Sequence, residues 1–132
     1  MKRFEGRTVV VTGSSRGLGR TIAAAFAAEG AFVYVGYLKE DDEAAKTVAL
    51  CNGSAEAVKF DVAQPDAVNA AFAKIHEPRK RVDVLVNNAG CNRDAPAVLL
   101  DPADWREAIA VSLDGAFFCT RAALMPMLHA RK

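Results

Sequence analysis

Thr12-Gly13-Ser14-Ser15-Arg16-Gly17-Leu18-Gly19 joins two segments of different character. Before it runs Thr8-Val9-Val10-Val11, a β-branched segment that reads as a buried strand. After it runs Arg20-Thr21-Ile22-Ala23-Ala24-Ala25-Phe26-Ala27-Ala28-Glu29, which reads as a helix, with Leu18, Ile22, Ala25 and Phe26 as its predicted apolar stripe against a sheet. A glycine-rich turn between a parallel strand and a helix is where a dinucleotide pyrophosphate can bind. The helix start offers unpaired N–H groups and a partial positive charge, and glycines allow close approach of the phosphates. The spacing is Gly-x-x-x-Gly-x-Gly rather than Gly-x-Gly-x-x-Gly, so a merely tight strand-to-helix connection is the competing reading.

The 132 residues suffice for one domain spanning 1–132, and 52% hydrophobic with 25% charged residues is an ordinary globular composition. A net charge of +1 offers no electrostatic case for nucleic acid. No apolar run reaches the roughly 18 residues of a membrane span, and the Met1–Gly6 stretch has no apolar signal core behind it. Cys51, Cys91 and Cys119 are odd in number and well separated, which argues against a disulfide framework or a cysteine zinc site. His76 and His129 show no ligand pattern, so no metal is expected. A reduced, cytoplasmic compartment is the plain expectation.

Strands and helices alternate along the rest of the chain. Predicted strands cover about Thr8–Thr12, Ala31–Gly36, Ala55–Phe60 and Val82–Val86. Predicted helices cover about Gly17–Glu29, with Gly30 closing it, then Asp41–Leu50, then a helix opening at Pro65 and ending at Glu77-Pro78. Asp42 and Lys46 are spaced for an ion pair one turn apart. Arg79-Lys80-Arg81 reads as a solvated loop. A long helix, about Pro102 to His129, is capped by Asp101 and should kink near Pro126. The order βαβαβαβ predicts an α/β Rossmann-type, doubly wound parallel sheet with strand order 3-2-1-4 and helices on both faces. The glycine loop, Gly36-Tyr37, Asp61-Val62 and Asn87-Asn88-Ala89-Gly90 all fall at strand C-terminal ends, beside the point where the winding reverses.

These motifs together resemble the short-chain dehydrogenase/reductases. Thr12-Gly13-x-x-x-Gly17-x-Gly19 is similar to that family's cofactor loop, Asp61-Val62 to its adenine-contact pair, and Asn87-Asn88-Ala89-Gly90 to its hallmark after the fourth strand. The run Asn87 to Asp94 is most similar to β-ketoacyl-(acyl-carrier-protein) reductases and acetoacetyl-CoA reductases. The resemblance covers the whole chain, in the manner of an N-terminal half. It implies a dinucleotide site at Gly13, Ser15, Arg16, Gly17, Leu18, Gly19, Tyr37, Leu38, Asp61, Val62, Asn88, Ala89 and Gly90. By it, Asp61 would bond the adenine amino group with Val62 beside the ring, while Asn88, Ala89 and Gly90 would line the nicotinamide-side ribose. A helix cap for Asp61 and a plain turn for Asn-Asn-Ala-Gly are the competing readings.

Enzymes of this fold that use NAD place an acid about 20 residues past the glycines. Here that position reads Gly36-Tyr37-Leu38-Lys39, and Glu40, Asp41 and Asp42 read as first-turn helix acids. Arg16 could instead pair with a 2′-phosphate, as a basic residue does at this loop position in similar enzymes, or be a solvated loop residue. NADP(H) is therefore expected over NAD(H), with NAD(H) possible. The family's reduction needs a tyrosine with a lysine four residues later, plus a serine. Tyr34 and Tyr37 are followed at that spacing by Leu38 and Asp41, and no Tyr-x-x-x-Lys occurs. The family's helix asparagine is matched by Ser112, a shorter hydrogen-bonding side chain and the one catalytic candidate the resemblance offers here. Two expectations follow. The chain is the cofactor-binding half of an oxidoreductase acting on a small acyl-type carbonyl substrate, or it is a nucleotide-binding or assembly module without turnover. An exposed fourth-strand edge and long-helix face predict homo-oligomerisation.

Overall fold

In the computed structural model, residues 2–79 and 81–130 are described. β1 (Thr8–Val11), β2 (Phe32–Tyr37), β3 (Ala55–Lys59) and β4 (Val84–Val86) form one parallel sheet in the order β3-β2-β1-β4. Val10 pairs with Tyr34 on one side and Leu85 on the other, so β1 is central. The predicted order is the observed one.

Side chains of β1 alternate between two cores, as a pleated strand covered on both faces requires. Val9 and Val11 join Val33 and Val35 under α1 (Gly17–Ala28) and α2 (Asp41–Leu50). Val10 joins Tyr34, Val58 and Phe60 under α3 (Pro65–Arg79) and the C-terminal helices. Gly30, at φ +94°, ends α1 by donating to the Ala27 carbonyl, as predicted.

Several local expectations are corrected. The buried face of α1 is Gly19 and Ala23, flanked by half-buried Ile22, Phe26 and Ala27, whereas Leu18 is 69% exposed and Ala25 is exposed. The helix approaches so closely at Gly19 that this residue, not Leu18, sets which stripe faces the sheet. Lys46 pairs with Glu43 at 2.7 Å rather than with Asp42. α3 continues to Arg79 instead of ending at Glu77-Pro78, because one missing backbone donor in a last turn forfeits little. Arg79 stacks on Phe32, 3.4 Å from its ring centre, and Arg81 pairs with Asp83, so neither is a free loop cation. Lys80 lies outside the described residues. Strand four is shorter than expected, because Val82 and Asp83 precede the paired segment.

The long helix is not one α-helix. α4 (Pro102–Ile109) and α5 (Gly115–His129) are joined by a π-helical turn at Ala110–Asp114. Asp101 caps α4 by accepting the Ala103 N–H at 2.8 Å. α-Helical geometry continues across Pro126, and the irregularity lies earlier, at the π turn. At Gly115 a Cβ would lie 2.7 Å from Val62 Cγ2, so this residue lets α5 close onto the loop after β3. By length and composition Pro102–His129 is apolar enough to cross a membrane, with a mean hydropathy of 1.4 in one window. Ile109, Val111, Leu113, Phe117 and Phe118 carry that mean together with the alanines, while Asp114 and Arg121 interrupt the segment, so no uninterrupted apolar run of that length occurs. Cys119 and Ala123 of this helix are buried in the core with α3.

Candidate functional site

The loops after all four strands meet at the C-terminal edge of the sheet. They surround a crevice of about 440 Å³. Gly13, Ser15, Arg16 and Gly17 line it from the first loop, and Tyr37, Leu38, Lys39 and Glu40 from the second. Asp61 and Val62 enter from the third and Asn88, Ala89, Gly90 and Cys91 from the fourth, with Glu107 and Val111 from the helix side. Eleven of the thirteen expected cofactor residues therefore share one crevice. The other two, Leu18 and Gly19, do not line it; Leu18 points to solvent and Gly19 is buried behind the loop.

The three glycines of the first loop do different work. Gly17 has φ +58° and open space where a Cβ would stand, so bare backbone faces outward at the start of α1. The first N–H groups of that helix lack partners a turn earlier, which suits an anion. Gly19 faces inward: a Cβ there would lie 2.5 Å from Asn88 Nδ2 and 2.8 Å from Ser14 Cα. At Gly13 a Cβ would lie 2.8 Å from Ala89 Cα. Gly13 and Gly19 thus serve loop-to-loop packing, and Gly17 serves access.

A hydrogen-bonded frame invisible in the motif holds these loops. Thr12, buried, accepts the N–H groups of Asn88 at 3.0 Å and Ala89 at 2.9 Å through Oγ1. Asn88 Nδ2 donates to the carbonyls of Thr12 at 3.1 Å and Gly13 at 2.9 Å. Ser14, also buried, donates to the Val11 carbonyl at 2.7 Å. Thr47 of α2 donates to the Ser14 carbonyl at 2.9 Å, and Arg20 donates to Thr47 Oγ1 at 3.0 Å while pairing with Glu43 at 2.6 Å. The motif includes Thr12 but not its bonds to the fourth loop, and Arg20 and Thr47 carry no motif signal, because each acts on a partner distant in sequence; only the polar type of Thr47 on the buried face of α2 could have flagged it.

Other expected residues carry local contacts. Asp61 Oδ1 accepts the Ala63 N–H at 2.9 Å, so its carboxylate is also a turn cap. The Tyr37 hydroxyl donates to Asp41 at 2.9 Å, and that bond to a carboxylate pushes the phenol above its ordinary pKa. Asp41 is held below its ordinary value by the same bond and by Lys59. Arg16, expected to face a phosphate or solvent, pairs with Glu40 at 3.2 Å. Ser112 sits in the π turn, exposed, with Oγ accepting the Cys91 N–H at 3.4 Å; it lies behind the Gly90-Cys91 backbone rather than among the crevice-lining residues.

The model of the short chain dehydrogenase family matches residues 7–132. The chain belongs to the short-chain dehydrogenase family. A 3-oxoacyl-(acyl-carrier-protein) reductase from Synechocystis sp. is 38% identical over 131 residues, covering 97% of this chain and 53% of the relative. A 3β-hydroxysteroid dehydrogenase from Mediterraneibacter gnavus is 40% identical over 124 residues, covering 92% and 45%. A crystal structure assigned as a short-chain dehydrogenase/reductase from Burkholderia xenovorans superposes with a TM-score of 0.92 at 29% identity, covering 98% of this chain and 54% of that one. This short-chain dehydrogenase chain thus spans about half the length of the curated relatives it matches.

Proposed function

We propose that this short-chain dehydrogenase chain is the NADP(H)-binding half of an oxidoreductase that reduces the carbonyl of a 3-oxoacyl-type substrate. The single observation that carries the reading is the convergence of four strand-end loops on one crevice, with outward-facing Gly17 at a helix start. The residues present fit such a group. Gly17 leaves room for a pyrophosphate against the first N–H groups of α1. Asp61 and Val62 would flank the adenine, and Asn88, Ala89 and Gly90 the nicotinamide-side ribose. Arg16 would neutralise a 2′-phosphate. When bound, the nicotinamide supplies the hydride. The chain's own residues bind and orient it: the Thr12–Asn88 bonds fix the distance between the two loops that hold it.

A reading without turnover is favoured for residues 1–132 by a specific observation. Neither tyrosine is set up as an activated proton donor in the crevice. Tyr34 is buried in β2, and Tyr37 has its hydroxyl engaged by Asp41 with its pKa raised rather than lowered. We therefore propose saturable NADPH binding without carbonyl reduction by these residues alone, in a cytoplasmic setting, with no nucleic-acid or membrane partner.

The test is titration with NADPH and NADH, followed by nucleotide fluorescence, and then addition of acetoacetyl-CoA while NADPH oxidation is monitored. Tighter binding of NADPH with no oxidation supports the proposal. Absence of binding of either nucleotide sinks the cofactor reading, and oxidation sinks the inactive one.

A further inference from the structure

Arg16 and Glu40 stand at the mouth of the crevice, where the first and second loops face each other. Arg16 Nη1 lies 3.2 Å from Glu40 Oε1, with the two side chains 73% and 40% exposed. Glu40 occupies the N-cap position of α2 but makes no side-chain cap bond. Its neighbours are committed elsewhere: Asp41 to Tyr37 and Lys59, and Glu43 to Arg20 and Lys46. The carboxylate that meets Arg16 is therefore one that no other contact shown at this end of α2 holds in place.

We infer that Glu40 is a specificity-determining residue, an internal competitor for Arg16 that sets the preference between cofactors with and without a 2′-phosphate. The inference rests on the dinucleotide reading above. An exposed ion pair is weak and easily exchanged. A phosphate dianion carries more charge and matches the guanidinium fork with two oxygens, so it displaces the carboxylate. The displaced carboxylate still lines the crevice, where it repels a second anion. Toward a cofactor bearing a free 2′-hydroxyl the same group is an acceptor, the role acids play in this fold. Both effects lower selectivity for the phosphorylated cofactor. Arg16 alone thus overstates the preference, and the pair decides it.

The experiment measures binding of 2′,5′-ADP and 5′-AMP by calorimetry at low ionic strength. The proteins are the parent chain, Glu40→Gln, Arg16→Ala and the double variant, with Glu40→Ala as a second route and circular dichroism to verify folding. Glu40→Gln is expected to raise the 2′,5′-ADP to 5′-AMP affinity ratio about fivefold, the factor matching the upper range of an exposed ion pair. In the Arg16→Ala background that gain is expected to shrink to the smaller part due to repulsion and 2′-hydroxyl acceptance alone. An unchanged ratio in both Glu40 variants, with the parent chain still binding 2′,5′-ADP and NADPH, overturns the competition while leaving the dinucleotide site intact. A full gain that persists without Arg16 also overturns it, leaving simple repulsion. A parent chain that binds neither NADPH nor NADH removes both this inference and the reading beneath it.

Discussion

Asn88 Nδ2 donates to the Gly13 carbonyl at 2.9 Å, joining residues 75 positions apart in the chain. Thr12 Oγ1 completes the joint by accepting the N–H of Ala89 at 2.9 Å. Thr12→Val keeps the volume and removes the acceptor, which leaves the Ala89 N–H without this partner. A loss of about 1–3 kcal/mol in urea unfolding is expected, with weaker NADPH binding. Stability equal to the parent chain would show that water replaces the hydroxyl.

Gly17 and Gly19 look equivalent in the motif and are not equivalent in space. Gly17→Ala meets no atom and incurs only left-handed backbone strain, about 1–2 kcal/mol. Gly19→Ala drives a methyl against the Ser14 backbone and the Asn88 amide, and is expected to cost at least about 3 kcal/mol. Thermal unfolding of the two variants side by side checks the order; a milder Gly19→Ala would contradict it.

Asp83 couples the start of β1 to the approach to β4. Its side chain, 12% exposed, accepts the Thr8 N–H at 2.7 Å and pairs with Arg7 and Arg81. Burial raises its pKa, but the hydrogen bonds from Arg81, Thr8 and Arg7 outweigh that and leave it lowered. Because the folded value lies below the unfolded one, the carboxylate's contribution is complete above about pH 4 and is lost as pH falls through the folded pKa. Asp83→Asn should cost about 1–3 kcal/mol near neutrality, and the gap to the parent chain should close in acid. A gap that stays constant to about pH 2 would refute this.

The three thiols should separate in native-state labelling. Burial pushes Cys119 up to about 11 and raises Cys51 as well, so both should react only on unfolding. Cys91 is half-buried and lines the crevice, so one equivalent should react rapidly with an aromatic disulfide reagent and NADPH should slow it. Fast reaction of two or more thiols, or no protection by NADPH, would contradict the placement.

The exposed face of the C-terminal helix predicts self-association. Leu113, Phe117, Leu124 and Leu128 are 63%, 60%, 46% and 58% exposed, and recur at spacings of four, seven and four. That spacing suits a helix-to-helix seam, and β4 presents an unpaired edge among the described residues. Sedimentation should show a dimer or larger species at micromolar concentration. The double change Phe117→Glu and Leu124→Glu should shift it to monomer if the helix is the seam, whereas an unshifted oligomer would assign association to the β4 edge.

The sequence by itself determined the strand order and the place of the crevice. Apolar runs of β-branched residues, caps such as Asp101-Pro102 and the Gly30 terminator are local signals, and right-handed crossovers leave few ways to assemble them. Only the tertiary structure decided what each residue of the glycine loop does. Leu18 fits an apolar stripe by periodicity, yet it faces solvent because close packing at Gly19 rotates a different line of α1 onto the sheet. Arg20, Thr47 and Thr12 frame the site through contacts whose partners are tens of residues away, and no local pattern records such a partner. The same holds for Arg16: its type marked a candidate phosphate contact, but its pairing with Glu40 depends on where two separate loops end in space. Periodicity reports which face of an element is apolar; it does not report which distant loop that face will meet.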